Sequence, residues 1–352
     1  MRFNGHGTQI VFSQCTRASR TDDRNPTATL CWLRRAEVAL GAMIRFIGRR
    51  VAFMLATMLV ASVLLFVLFE LSSADVAVSA LGPYSTAEQR LLWQTQNGYD
   101  LPALARYFEW LARFVTGDWR VSRSFNAPVA SVVLSHLVNT GILAFWVFVF
   151  LVPLSLLLGV LAGMREGSAL DRVISTASIL LASVPPFAST VLVSAIFVFG
   201  LGWLPGTSSM IDGFSWRELV MPVIVLVAYD LGYVARITRA SMAEVMTTPY
   251  VRTAILKGLP RSRVIWRHAL RNALITPVTV LLLHVNWLIT GVIVVEFFFA
   301  YKGFGSLILQ AAMSQDLFLL EACTIVTVAI AVASQTIADL AYMYLNPKIR
   351  FR

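Results

Sequence analysis

Three polar side chains, Asp230, His284 and Asn286, stand inside long apolar runs. An ionisable group there is costly and by default marks a solute pathway, a proton relay or an internal pair. A carboxylate near an imidazole could exchange a proton or hold a passing solute, and Asp339 in a later run could extend a relay. The structural alternative is equally concrete. Asp230 could pair with a neighbour near the membrane boundary, and His284 and Asn286 could hydrogen-bond between helices without touching a solute. Little else suggests chemistry. Cys15, Cys31 and Cys323 lack disulfide or zinc spacing, and no nucleophile motif or metal-ligand cluster is apparent. There is no G-x-x-x-x-G-K-S/T loop, so the chain cannot cradle and hydrolyse ATP by the usual route.

Those side chains need elements that can hold them in lipid. Apolar residues make up 57% of the chain and charged residues 14%, where a soluble protein carries about a quarter charged. Six windows are long and apolar enough to span a bilayer. They run over Val51 to Phe69, then about 137–163, 173–199, 219–235, 274–295 and 322–345. The fourth is the weakest, because it contains Asp230. Pro153, Pro185–Pro186 and Pro222 fall inside the second, third and fourth windows, which a packed bundle tolerates by re-satisfying the freed backbone groups. Pro185–Pro186 either shapes a pathway wall or is a static kink.

The net charge of +10 could suggest nucleic acid, but the positive charge sits beside the apolar runs and so reports orientation. Arg45, Arg49 and Arg50 precede the first span, Arg165 and Arg172 follow the second, and Lys348, Arg350 and Arg352 end the chain. The loop over 236–272 holds eight basic residues, whereas the loops near 200–218 and 296–321 hold Arg217 and Lys302 alone. Every basic loop thus falls on one side of a six-span arrangement, and both termini are expected in the cytoplasm. The segment 71–136 then lies outside. Within it Leu104, Tyr107, Phe108, Leu111, Ala112 and Val115 recur at helical spacing, predicting an amphipathic helix on the outer membrane surface. Residues 1–42 are polar, Arg-rich and without a signal-peptide core, and are expected to form a disordered extension. Met43 could equally be the true start.

The cytoplasmic loop 236–272 is too patterned for a plain connector. Thr247-Thr248-Pro249 is a helix start, a hydroxyl cap followed by proline at the first helical position. Residues 250–257 have helical composition, Gly258 is a C-terminal stop and Leu259-Pro260 opens a second helix. That helix places Arg263, Arg267 and Arg271 in one stripe suited to lipid phosphates. A short helix held off the membrane suits docking into a groove on another protein, although a solvated basic loop would share its composition. Glu244 is the sole acid here and could pair with Arg252 or with a basic residue of a partner.

From Glu244 to Ala273 the loop closely resembles the cytoplasmic motif of binding-protein-dependent ABC transporter permeases, and is most similar to the first-permease subgroup of the dipeptide/oligopeptide/nickel branch. The resemblance extends from about Met43 to the C-terminus. Arg49-Arg50, Gly117-Asp118-Trp119, Leu201-Gly202-Trp203-Leu204-Pro205, Tyr301-Lys302-Gly303-Phe304-Gly305 and the stretch from Asp339 to Arg350 carry it in order. Asn346 stands where the branch usually has aspartate, and Arg252-Thr253-Ala254 replaces the Glu-Ala-Ala of the wider superfamily. The resemblance implies an all-α integral membrane protein of bacterial inner membranes with six transmembrane helices and the type I ABC importer permease fold. A domain over 43–352 would pair with a second homologous permease. A periplasmic binding protein would deliver the solute, peptides being the default cargo. Two ATP-binding cassette subunits would consume the ATP, and this chain would bind no cofactor, metal or nucleic acid. Glu244, Tyr250, Arg252, Thr253, Ala254, Lys257 and Gly258 would couple to the ATPases through a helix over about 249–257. Asp230, His284 and Asn286 would line the pathway. The competing readings are a secondary transporter driven by an ion gradient, with Asp230, Asp339 and His284 as its relay, and a membrane-bound enzyme or scaffold.

Overall fold

The computed structural model describes residues 26–72, 76–82, 84–96, 99, 101–210, 213–290 and 292–345. Helix α1 (Pro26–Ser72) is followed by three shorter helices, α2 (Val76–Leu81), α3 (Ala87–Gln96) and α4 (Ala103–Thr116). A two-stranded hairpin, β1 (Val121–Ser122) antiparallel to β2 (Ala127–Pro128), leads into α5 (Val129–Gly163). Then come α6 (Ala169–Ser183), α7 (Pro186–Gly200), α8 (Trp216–Met246), α9 (Pro249–Leu256) and α10 (Arg261–Ala273). The chain closes with α11 (Ile275–Thr290), α12 (Ile293–Phe298), α13 (Phe304–Met313) and α14 (Leu317–Leu345).

Four of these helices are long and apolar enough to cross a membrane, and there are six such elements if each of two bent pairs forms one span. The expected third span is one of those pairs. It breaks between α6 and α7 by 100°, because Pro186 lacks the N–H a continuous helix would use and Pro185 takes extended backbone angles. The kink considered for Pro185–Pro186 is therefore a full break. The fifth span is also bent, by 43° between α10 and the start of α11.

The expected disordered extension over 1–42 lies outside the described residues up to residue 25. From Pro26 onward the backbone is helical and runs without interruption into the first span. Proline at the first helical position, followed by leucine, arginine and alanine, accounts for a helix there. Contacts divide the chain into two units, residues 1–56 and 57–352, with the division falling inside α1.

Within the second unit, α8 is the centre. Leu219, Met221, Val225, Leu226, Val234 and Met242 along it are all buried. Two neighbours approach its backbone through glycine. Gly159 and Gly163 on α5 form a small-xxx-small face. A Cβ at Gly159 would stand 2.6 Å from the Ala235 carbonyl oxygen, and one at Gly163 would stand 2.7 Å from the Arg239 carbonyl oxygen and from Met242 Cβ. On the other side of the contact Gly232, on α8 itself, lies against the Ser178 carbonyl and Ala182 of α6.

A second cluster closes the end of the bundle away from the basic loop over 236–272. Val129, Val132 and Val133 of α5 pack there with Phe304, Leu307 and Ala311 of α13 and Leu319, Ala322 and Cys323 of α14. The Asp316 carboxylate ties this end together. It accepts Ser122 Oγ at 2.6 Å and the Ser124 N–H at 3.0 Å, and it caps α14 at Leu319 N–H. The predicted outer amphipathic helix is α4. It buries Tyr107, whose hydroxyl meets Ser62 Oγ at 2.8 Å, and leaves Leu104, Phe108 and Val115 exposed for lipid to cover.

Gly159→Ile should overpack the α5–α8 contact and cost about 1–3 kcal/mol, lowering the thermal midpoint of the purified protein in detergent by several degrees. Gly141→Ile on the same helix, with nothing within 4 Å of a new Cβ, should leave the midpoint nearly unchanged.

Candidate functional site

The basic loop over 236–272 folds as its turn residues require. Thr248 holds extended angles and Pro249 starts α9. At the other end Gly258 takes φ +75°. Its N–H reaches the Ile255 carbonyl at 2.9 Å, and the Leu259 N–H reaches the Ala254 carbonyl at 3.3 Å. These two bonds form a Schellman closure, which satisfies the last carbonyls only if the turning residue is left-handed. A Cβ at Gly258 would meet nothing within 4 Å, so the requirement is conformational and not steric.

α9 buries a narrow face and presents the rest. Val251 and Ala254 enter a small core with Met242 of α8 and with Val264, Ala269 and Ala273 of α10. Tyr250, Arg252, Thr253, Lys257 and Gly258 lie on the exposed side, beside two apolar residues that sequence reasoning passed over, Ile255 and Leu256. Leu256 is 79% exposed. Ala254, placed among the coupling residues, points inward at 6% exposure. It supports the helix from beneath because its small side chain lets α9 approach α10. Glu244 is exposed and makes no ion pair with Arg252 among the described residues.

Several bonds fix this loop to the spans. Asn272 Nδ2 donates to Tyr250 Oη at 2.9 Å, and Ser241 Oγ donates to the Ala273 carbonyl at 2.8 Å. The strongest tie is one the sequence reading missed. Arg239 near the end of α8 grips Asp171 at the start of α6 through Nε at 2.6 Å and Nη2 at 2.8 Å. A bidentate pair of this kind fixes direction as well as distance. Asp171 also accepts the Gly167 N–H and Ser175 Oγ, while its own N–H is capped by Ser168 Oγ. Ser168-x-x-Asp171 is a capping-box pattern, so the local half of this arrangement was readable; the partner 68 residues away was not.

Asp230 and His284 are brought together as the sequence allowed. His284 Nε2 lies 3.5 Å from Asp230 Oδ1, with side chains 17% and 2% exposed. Asn286 belongs to the same helix, but its side chain lies outside the described residues. A second acid that sequence reasoning passed over is Glu296 on α12, fully buried. Thr140 Oγ1 of α5 donates to its Oε1 at 2.6 Å and the Ser306 N–H donates to its Oε2 at 2.9 Å. Phe304 N–H in turn donates to Thr140 Oγ1 at 2.7 Å. This carboxylate organises Tyr301-Lys302-Gly303-Phe304-Gly305, and a side chain at Gly303 would overlap it. The available signal was a lone acid five residues before that glycine-spaced run.

Compared with known proteins, residues 155–351 match the binding-protein-dependent transport system inner membrane component, and residues 43–151 match the N-terminal part of such membrane components. The chain belongs to this family of transport permeases, with the type I ABC importer permease fold, and is the permease subunit of an ATP-driven importer in the inner membrane. It is similar to a protein of Brucella abortus named as a peptide transport system permease, with 31% identity over 313 residues, 88% of this chain and 100% of that relative. A like-named protein of Brucella melitensis shows the same identity over 99% of its length. The glutathione transport system permease protein GsiC of Escherichia coli is 29% identical over 310 residues, covering 88% of this chain and all of the relative. The ion-gradient alternative gains no support from these relatives.

Replacing Gly258 by valine forces a branched residue into the left-handed region at about 1–2 kcal/mol. Hydrogen exchange of the α9 amides should then speed up by about tenfold. Gly258→Asn should give a markedly smaller increase, since asparagine tolerates that region.

Proposed function

We propose that this chain works beside a second homologous permease, with two ATP-binding cassette subunits on its cytoplasmic side and a periplasmic binding protein outside. Its cargo is peptides or a small solute like them. The cargo assignment rests on the peptide and glutathione relatives. The orientation, with both termini cytoplasmic, rests on the basic loop over 236–272 facing the same side as the ends of the chain. ATP is consumed by the partner subunits, and this chain carries no cofactor of its own.

The observation that carries the coupling role is the geometry of α9. It is a two-turn helix closed by a left-handed glycine, seated on a small core of its own, with Tyr250, Arg252, Ile255, Leu256 and Lys257 facing outward. Exposed leucine and isoleucine beside cations are the surface an α-helix offers to a groove on a partner. Val251 and Ala254 anchor the other face to α8 and α10, so a push on α9 reaches the spans as a displacement of packed helices and not as the flexing of a loop. Asp230, His284 and Asn286 belong to the two helices, α8 and α11, that would carry the displacement to the pathway. The neutral or cationic end of a solute is what a buried acid–imidazole pair would meet.

Co-expression of the four kinds of subunit, with a tag on this chain, tests the reading. Leu256→Asp alters only an exposed position, and should leave the permease pair intact while co-purified ATPase falls by at least tenfold. Gly258→Pro should do the same. Undiminished ATPase recovery with both variants would sink the assignment of α9 as the docking helix.

A further inference from the structure

The contact between α8 and α11 holds more than the pair just described. Tyr229, Asp230 and Tyr233 come from α8, and His284 and Trp287 from α11. Tyr229 stacks on Trp287 with ring centroids 5.4 Å apart, and Tyr233 stacks on His284 at 5.4 Å. The His284 and Trp287 rings are 6.5 Å apart, which makes the four rings one continuous panel.

The hydrogen positions at its centre follow from simple chemistry. His284 Nδ1 lies 3.1 Å from the Val280 carbonyl oxygen, which can only accept, so Nδ1 carries a hydrogen. In the neutral ring Nε2 is then a bare acceptor, and it faces Asp230 Oδ1 at 3.5 Å. Two acceptors facing each other repel unless a donor lies between them. The other oxygen, Oδ2, is buried and has no hydrogen-bond partner among the described residues. With that ring neutral, both oxygens of this buried carboxyl group are short of donors. The panel reaches the surface at Tyr233, which is 43% exposed.

We propose that Asp230, His284 and the rings of Tyr229, Tyr233 and Trp287 form a subsite for the ammonium group of the transported solute. This rests on the reading of α8 and α11 as pathway helices given above. An ammonium nitrogen placed about 2.8 Å from each acceptor can donate to His284 Nε2 and Asp230 Oδ1 at once. It retains a further N–H for Oδ2 or for an aromatic face, and the rings add cation–π attraction. A free peptide amino terminus has this chemistry. An acetylated terminus does not.

The test places a cysteine at the mouth of the panel. Tyr233→Cys would be made in a background with Cys15 and Cys31 changed to serine, and the assembled transporter reconstituted in nanodiscs. Two methanethiosulfonate reagents, one bearing trimethylammonium and one bearing sulfonate, would be timed against this cysteine and normalised to their rates with a free thiol. The cationic reagent should react about tenfold faster, as expected beside a buried carboxylate. Asp230→Asn should bring the ratio close to one, and Asp230→Glu should keep it. Methylammonium and trialanine should slow the labelling several-fold, while N-acetyl-trialanine should not. Charge selectivity without protection by either amine would mean that Asp230 and His284 merely share a proton, and overturns the subsite. So would a ratio indifferent to Asp230→Asn, or a cysteine inert to both reagents in every nucleotide state. Whether the ATPases co-purify is read separately, so loss of the docking role cannot be confused with loss of this site.

Discussion

The close approach of α8 to α5 and α6 is the constraint on which the rest depends. In lipid there is no apolar driving force to press helices together, so contact rests on shape and on short distances between backbones. Gly159 and Gly163 let α5 reach the carbonyls of Ala235 and Arg239, and Gly232 lets α8 reach the carbonyl of Ser178 on α6. Because these contacts are made by backbone, neither helix can slide without losing them. At the level of Gly163's contact, Arg239 also reaches Asp171, and this pair locks α8 to α6.

The same packing continues into the basic loop over 236–272. α9 touches the spans through a core of six buried side chains, of which Met242 belongs to α8 and Val264, Ala269 and Ala273 to α10. Motion delivered to α9 is thereby shared between the helix carrying Asp230 and the one leading to His284. The 43° bend after α10 and the 100° break between α6 and α7 are two places where the bundle departs from straight rods. At the opposite end of the bundle Glu296 and Asp316 do for the loops what glycine does for the spans. Each gathers several donors from segments far apart in the chain.

Much of the fold was legible because it is written in local chemistry. The apolar windows, the Thr-Thr-Pro start and glycine stop of α9, and the amphipathic face of α4 all rest on residues within a turn or two of one another. The end expected for α9 lies within one residue of the observed end at Leu256, because a left-handed stop admits few residue types. The third span was read as one helix since hydropathy is blind to direction, and two adjacent prolines do not announce the size of the bend they make. Ala254 was grouped with the exposed coupling residues because the family motif carries no information about which side of a two-turn helix is buried.

The sequence by itself determined that this chain lives in a membrane, where its basic residues cluster between the spans, and where helix α9 begins and ends. All three follow from composition, charge placement and short-range turn chemistry. Only the tertiary structure decided which distant residues meet. Asp171 found Arg239, Glu296 found Thr140, and Asp230 found His284 across separations of 68, 156 and 54 residues. Such pairings depend on the rotation and depth of each helix in the bundle, and those are set by packing against neighbours that no local pattern encodes.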